Sequence, residues 1–293
     1  MSEKTLDTIP QDIDALFFEG CSINEDNLNK FLNNLKELLI KRLSKRNPDE
    51  PISETMRMSK LGVPNRKLWY EHHTEKQRTP VNGSLKFLYG DIIEQLIFFL
   101  LREAGHTVEE EQQEVVIDGI VGHKDAKVDG YTVDVKSTSS FAHKKFATGQ
   151  LYKDDPFGYT AQLSAYMYAD NNPLGAFIAV NKENGQVTIL KLNGIDTIHP
   201  PTRIKEIREV LARTEPPAEK CYAPEPMGKS GNLELATSCS YCPFKDKCWK
   251  DSNGGIGIRR FEYASGIKEL VHVAETPRVP EVLQPDLVDE EGS

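Results

Sequence analysis

The stretch GHKDAKVDGYTVDVKSTSS, residues 122–140, decides how this chain is read. Asp125, Asp129 and Asp134 crowd within it, and Lys136 follows Asp134 after a single valine. Asp129-Gly130 is a hairpin signal, because a tight two-residue turn needs positive φ at both central positions. The segment then reads as strand, turn, strand. Side chains two apart on a strand share a face, which places Lys136 with Asp134 and sends Val133 and Val135 to the core. The turn brings Asp125 back beside Asp134, while Asp129 is spent on the turn itself. Alone, D-x-K on a strand also suits a solvated, charged hairpin. The surrounding chain has to choose.

Immediately upstream, LKFLYGDIIEQLIFFLLREAG reads as a helix with Ser84 as N-cap and Gly105 as terminator. Leu85, Leu88, Ile92, Ile93, Leu96, Phe99 and Leu100 make it apolar over a broad face, so it is expected in the core. Glu94 sits among them and needs a partner, since burying a lone carboxylate is costly. The runs TVEEEQQEVVID, GHKDAKVDG and YTVDVKSTSS, broken at Asp118-Gly119 and Asp129-Gly130, read as a three-stranded antiparallel meander. Downstream comes a helix over about residues 159–169, then a hairpin in GAFIAVNKENGQVTILKL turning at Asn184-Gly185. The order helix, meander, helix, strand pair is that of an α/β fold with a mixed central sheet flanked by helices.

Before this core, Asn24 caps an amphipathic helix over roughly 25–45, with a leucine stripe that suits a packing face. Asn47-Pro48 ends it, and residues 53–73 read as a helical turn, a Gly/Pro interruption and a new helix start. Gly90 and Gly122, lacking a Cβ, are expected to admit a close neighbour.

The chain carries 38% hydrophobic and 28% charged residues, ordinary for a water-soluble enzyme. Its longest apolar run, 92–101, is interrupted by Glu94 and Gln95 and is too short to span a bilayer. The first residues lack a basic start followed by an apolar stretch, so a cytoplasmic protein with no membrane partner is expected. The net charge of −9 is unevenly spread: EEEQQE and the C-terminal PDLVDEEGS are acidic, while KRLSKRN, NRKLWYEHH and HKKF are basic. A local basic surface can still track phosphates, and carboxylates that hold cations count as negative until the metal arrives.

Carboxylates gathered beside a lysine suit metal-dependent phosphodiester hydrolysis. Hard oxygen ligands hold Mg²⁺ or Mn²⁺ while leaving positions for water and a substrate phosphate. Lys136 then orients the attacking water or stabilises the developing negative charge. Ser137, next on the strand, offers a hydroxyl to phosphate. Arg57, Arg66 and Lys67, ahead of the core, are candidate phosphate contacts that also fit plain solvated charge.

Of five cysteines, Cys221, Cys239, Cys242 and Cys248 form C-x17-C-x2-C-x5-C, and Cys21 stands alone far upstream. Thiolates at this spacing bind Zn²⁺ or an iron–sulfur cluster, and four protein ligands make such a site structural.

The spacing G-H-K-D (122–125), short spacer, D-V-K (134–136) resembles the signature of the PD-(D/E)XK nuclease superfamily. GDIIE (90–94) resembles the metal-ligand helix of its RecB-like branch, and QLSAY (162–166) resembles that branch's Q-x-x-x-Y motif. KFLYGDIIE, DPFGYTAQLSAY and CSYCPFKDKCW together are similar to bacteriophage-encoded nucleases of this superfamily, over about residues 55–275, and the C-x2-C-x5-C run resembles the iron–sulfur CRISPR-associated exonucleases of that branch. The resemblance implies a restriction-endonuclease-like core with a C-terminal four-cysteine segment stapled by a metal or cluster. It implies Mg²⁺ or Mn²⁺ on Glu94, Asp125, Asp134 and the Val135 carbonyl, with Lys136 assisting the water and Gln162 and Tyr166 positioning substrate. It favours [4Fe–4S] over structural Zn²⁺ on the cysteines, although Val63 stands where such proteins carry the cysteine that precedes the core; Cys221 takes that cysteine's place.

The expected organisation is an N-terminal helical extension (1–52), the nuclease core (53–215), a cysteine-rich segment packing on it (216–275) and an acidic tail (276–293). The expected activity is exonucleolytic hydrolysis of DNA, linear and with free ends, in phage replication, recombination or host-DNA breakdown within a bacterial cytoplasm. Phage recombination or replication proteins and further copies of the chain are the expected protein partners. An endonuclease of the same superfamily and a non-catalytic nucleic-acid-binding or assembly module are the alternatives.

Overall fold

The computed structural model describes residues 4–44, 56–74, 81–192, 194 and 197–282. The predicted helix end at Asn47-Pro48 and most of the acidic tail lie outside the described residues. The chain divides into two compact units, Met1–Val63 with Glu75–Glu209, and Pro64–Thr74 with Val210–Ser293. No described helix is long and apolar enough to cross a membrane.

The first unit begins with helices α1 (Ile9–Glu19) and α2 (Glu25–Leu43). Asn24 caps α2 as predicted, its side chain accepting from the backbone N–H of Asp26 and Asn27. The leucine stripe is only half covered: α2 has no fully buried residue, and Leu32 and Leu43 are exposed. Phe31 stacks on Phe99, with ring centroids 5.3 Å apart. After a 3₁₀ turn at Met58–Lys60 comes α4 (Val81–Glu103), with α3 (Asn65–His73) belonging to the second unit. Ser84 therefore lies inside α4 rather than capping it. The inner face of α4 is also narrower than its composition suggests: Ile97, Phe98 and Leu101 are buried, whereas Leu85 and Leu96 are exposed. The terminator is where it was expected. Gly105 has φ +88°, and His106 N–H reaches back to the Leu101 carbonyl at 2.9 Å, a closing bond that needs a left-handed residue.

The predicted meander is replaced by two sheets. A five-stranded sheet has the order β1 (Val108–Glu109), β4 (Ala126–Val128), β5 (Tyr131–Thr138), β6 (Gly175–Asn181), β7 (Val187–Leu192). All its pairings are antiparallel except β5 with β6. A separate hairpin joins β2 (Gln113–Ile117) to β3 (Ile120–Lys124). The cause is a break at Asp125, which ends β3 and releases β4 to a different partner. Both Asp-Gly turns are present, with φ of +47° and +77° at 118–119 and +47° and +83° at 129–130.

This central mixed sheet is flanked by helices. Val133 and Val135 of β5 pack with Ile97, Phe98 and Leu101 of α4 and with Ile9 and Ile13 of α1. A second cluster joins Phe146 of α5 (Ser140–Ala147) and Leu163 and Met167 of α6 (Tyr159–Ala169) to Phe177 and Ala179 of β6. The parallel β5–β6 pair is thus bridged by a helical crossover, as parallel strands require. Arg203 of α7 (Pro200–Leu211) donates to the Leu61 and Val63 carbonyls, both at 2.8 Å, and holds the segment after the 3₁₀ turn.

In the second unit, β8 (Glu225–Met227), β9 (Asn232–Glu234), β10 (Arg259–Tyr263) and β11 (Gly266–His272) form an antiparallel sheet in the order β10-β11-β9-β8. Its core combines Tyr70 of α3 with Leu235, Cys239, Cys248, Trp249 and Val271.

Candidate active site

Asp134 and Lys136 project from the middle of β5 on the face opposite Val133 and Val135. Asp134 is fully buried. Its Oδ2 pairs with Lys136 Nζ at 2.5 Å, and its Oδ1 has no hydrogen-bond partner among the described residues. Burying an ionised carboxylate with one free oxygen is costly unless a cation completes it.

Asp125 arrives through the strand break. Its Oδ2 accepts from the Val135 backbone N–H at 2.7 Å, in the position a neighbouring strand would otherwise fill. Val135 thus meets the site through its main chain while its side chain stays in the core. Glu94 comes from α4, and its Oε1 accepts from Gln112 Nε2 at 2.6 Å and Gln95 Nε2 at 3.3 Å. Gln112 also donates its backbone N–H to the Asp125 carbonyl at 2.9 Å. One residue therefore ties the helix carboxylate to the strand-break carboxylate.

The electrostatics bind these groups into one site. Burial, with the charges of Asp134 and Asp91 adding to it, pushes the Glu94 carboxyl up to about 7. Burial together with the Asp134 and Glu94 charges raises Asp125 well above the ordinary carboxylate range. Asp134 is raised by burial, with Lys136 opposing. Burial alone would lower Lys136, but Asp134 and Asp125 outweigh it and hold the ammonium above its ordinary range. So much negative charge around one lysine calls for a further cation or for protons.

Among the described residues, no three His, Cys, Asp or Glu side chains stand together as a ready-made metal site. The donor chemistry still fits a hard divalent ion: carboxylate oxygens, one of them buried and unpartnered, sharing an excess of negative charge.

Helix α6 supplies the opposite wall. Gln162 Nε2 lies 3.0 Å from the Tyr166 hydroxyl. Tyr166 is buried, and burial followed by the Asp134 and Asp125 charges raises its phenol above the ordinary range. Lys136 Nζ lies 4.6 Å from the centroid of the Tyr159 ring. The start of α6 is fixed by Asp155, which accepts from Tyr159 N–H at 3.0 Å and from Thr160 N–H and Oγ1 at 2.8 Å. Gly158, at φ +73°, meets Gly62 so closely that a Cβ on Gly62 would stand 2.2 Å from Gly158 Cα. Gly122 is likewise needed, since a Cβ there would meet Met58 Sδ at 2.8 Å, whereas Gly90 faces open space.

Gln112, Asp155 and Tyr159 escaped the sequence reading. DPFG before a helix was a signal for the Asp155 cap, but nothing local marks Gln112 within EEEQQE. His123 is exposed and 3.7 Å from Glu114. Of the candidate phosphate contacts, Arg57 is exposed on an isolated bridge to Val121, and Ser137 is half-buried on β5.

In the second unit, Lys67 lies 3.9 Å from Glu71. Arg66 turns into that unit: Nε donates to Cys248 Sγ at 3.1 Å and Nη2 to the Cys248 carbonyl at 3.3 Å, and Nη1 bonds the Pro217 carbonyl. This guanidinium is engaged by groups of its own unit. Cys239 and Cys248 are buried and Cys221 and Cys242 half-buried, while Cys21 is exposed. Burial, followed by the charges of Cys221, Cys242 and Cys248, raises the Cys239 thiol to about 12. Cys221 and Cys242 are raised by burial as well. Thiols so disposed stay protonated until a cation displaces the protons. Four thiols are the donor chemistry of Zn²⁺ or an iron–sulfur cluster, but among the described residues they are not gathered into a metal site.

No family model matches the sequence, and no curated protein matches it. Among solved structures, the fold is similar to that of SSO0001, at 16% identity and a TM-score of 0.37 over 74% of this chain and 94% of that one. It is similar to a phage related exonuclease from Haemophilus somnus 129PT, at 14% identity and a TM-score of 0.37, covering 54% and 90% of the two chains. It is also similar to an alkaline exonuclease, LHK-Exo, from Laribacter hongkongensis, at 14% identity and a TM-score of 0.32, covering 60% and 89%.

Proposed function

We propose that this chain is a metal-dependent DNA nuclease, an exonuclease serving phage DNA replication, recombination or host-DNA breakdown. The observation that carries the reading is the Asp134–Lys136 pair, 2.5 Å apart, whose buried carboxylate keeps an unpartnered Oδ1 while Asp125 is held on the backbone N–H of Val135 between them.

Glu94, Asp125, Asp134 and the Val135 carbonyl would hold Mg²⁺ or Mn²⁺. The ion, when bound, acidifies a water and shields the phosphate charge. Lys136, held cationic by Asp134 and Asp125, places a fixed positive charge where the attacking water and the phosphate oxygens meet. Gln112 and Gln95 orient Glu94 through its Oε1, and the Val135 N–H orients Asp125. Gln162 and Tyr166 direct polar groups toward the substrate from α6, and Tyr159 walls Lys136 from solvent. We further propose that Cys221, Cys239, Cys242 and Cys248 hold a structural [4Fe–4S] cluster, with Zn²⁺ as the alternative occupant.

End-labelled linear DNA and the same DNA as a sealed circle, each incubated with Mg²⁺ or with chelator, test the activity. Consumption of the linear form alone, and only with Mg²⁺, is expected. Cutting of the circle supports an endonuclease instead. Intact DNA throughout, or loss of DNA in chelator, contradicts the proposal.

A further inference from the structure

The turn before α6 carries a surface that the proposed hydrolysis leaves unused. Phe157 is 63% exposed, and its ring stacks on Tyr159 with centroids 5.4 Å apart and planes inclined at 25°. The Tyr159 ring in turn faces the Lys136 ammonium. Two π faces thus lead from solvent to the lysine paired with Asp134.

A single exposed phenylalanine is unremarkable on a protein surface. The backbone on either side of this one is held by hydrogen bonds. Asp155 binds the first turn of α6, Gly158 N–H returns to the Asp155 carbonyl at 3.2 Å, and Gly158 sits against Gly62. The carboxylates of the turn are both engaged, Asp155 as this cap and Asp154 with Lys145 Nζ at 2.5 Å. Neither is left to repel a phosphate unopposed. An exposed apolar ring, backed by a second ring that faces the Lys136 ammonium, suits a planar, weakly polar group attached to a phosphate.

We propose that Phe157, backed by Tyr159, is a stacking platform for the nucleobase adjoining the scissile phosphate, and that the substrate end is therefore unpaired. This rests on the nuclease reading of the neighbouring carboxylates. Inside a duplex each base is covered on both faces, and the one free face of a terminal pair is held square to the helix axis, so a frayed or single-stranded terminal base is the one free to turn onto Phe157. Every base has a π face, so the platform selects single strands without selecting sequence.

The test uses the full chain with single-stranded oligonucleotides that end in either a normal nucleotide or an abasic one. With Mg²⁺, Phe157→Ala is expected to lower kcat/KM on the base-bearing end by roughly tenfold. Phe157→Trp should retain it, and on the abasic end Phe157→Ala should match the parent. In a second measurement, a terminal 2-aminopurine is expected to lose fluorescence on binding to Asp134→Asn. The quench should disappear when Phe157→Ala is added. An equal loss on both ends, or no loss on the base-bearing end, overturns the platform. So does a quench that survives Phe157→Ala. Absence of hydrolysis by the parent chain on every oligonucleotide counts against the nuclease reading, while the quench still decides on stacking.

Discussion

Asp125 Oδ2 accepts the backbone N–H of Val135 at 2.7 Å, filling with a side chain the place where β4 has stopped pairing with β5. The bond sets the Asp125 carboxylate against Asp134 at the opened end of the sheet. An asparagine could keep the bond while removing the charge. Asp125→Asn is therefore expected to fold, to melt higher than the parent in chelator, and to lose activity by roughly 10²-fold or more. Thermal melts and steady-state rates check both halves. A fall in both would mean that Asp125 serves the strand end rather than the chemistry.

The raised carboxyl of Glu94 makes a signed pH prediction. Its folded value is about 7 against an ordinary 4.5, so between these the folded chain keeps a proton that the unfolded chain has released. Stability in chelator should then be greatest below about pH 4.5, with respect to this group, and fall as pH rises toward 7. Asp125 and Asp134 are shifted in the same sense. Glu94→Gln should flatten the slope. Mg²⁺ should restore stability at neutral pH, with proton release measurable in weakly buffered solution.

Two glycines should respond in opposite directions. Gly62→Ala forces a Cβ into the backbone of Gly158 and is expected to cost about 1–3 kcal/mol, together with activity, by displacing the start of α6. Gly90→Ala meets nothing within 4 Å inside α4 and is expected to gain about 0.5–1 kcal/mol. Urea midpoints decide both.

The sulfur site predicts a colour. Protein purified without oxygen should be brown, with a broad visible charge-transfer band that Cys242→Ser bleaches while lowering the melting temperature. A colourless chain carrying one Zn²⁺ selects the alternative occupant. A chain with neither metal contradicts a site on these four cysteines.

Much of the candidate site's geometry was legible because it follows local rules. D-x-K on a strand, two Asp-Gly turns and Q-x-x-x-Y on a helix are spacings, and a backbone converts spacing into faces without help. What could not be read was tertiary. The break at Asp125 depends on Val135 lying within reach of its carboxylate, ten residues away, so alternation alone joined β3 and β4 into one strand. Gln112 is found only once α4 and the strand break are side by side. The exposure of Leu85 and Leu96 likewise depends on which neighbours α4 has, and periodicity gives a stripe without saying what covers it.

Under the proposed function, Asp134 and Lys136 act on a phosphodiester and do not simply neutralise each other. The most direct test is Mg²⁺-dependent degradation of labelled linear DNA by the parent chain, Asp134→Asn and Lys136→Ala, each confirmed as folded by its melt. Hydrolysis by the parent is expected, with losses of roughly 10²-fold or more in both variants. Equal rates in all three would contradict that function.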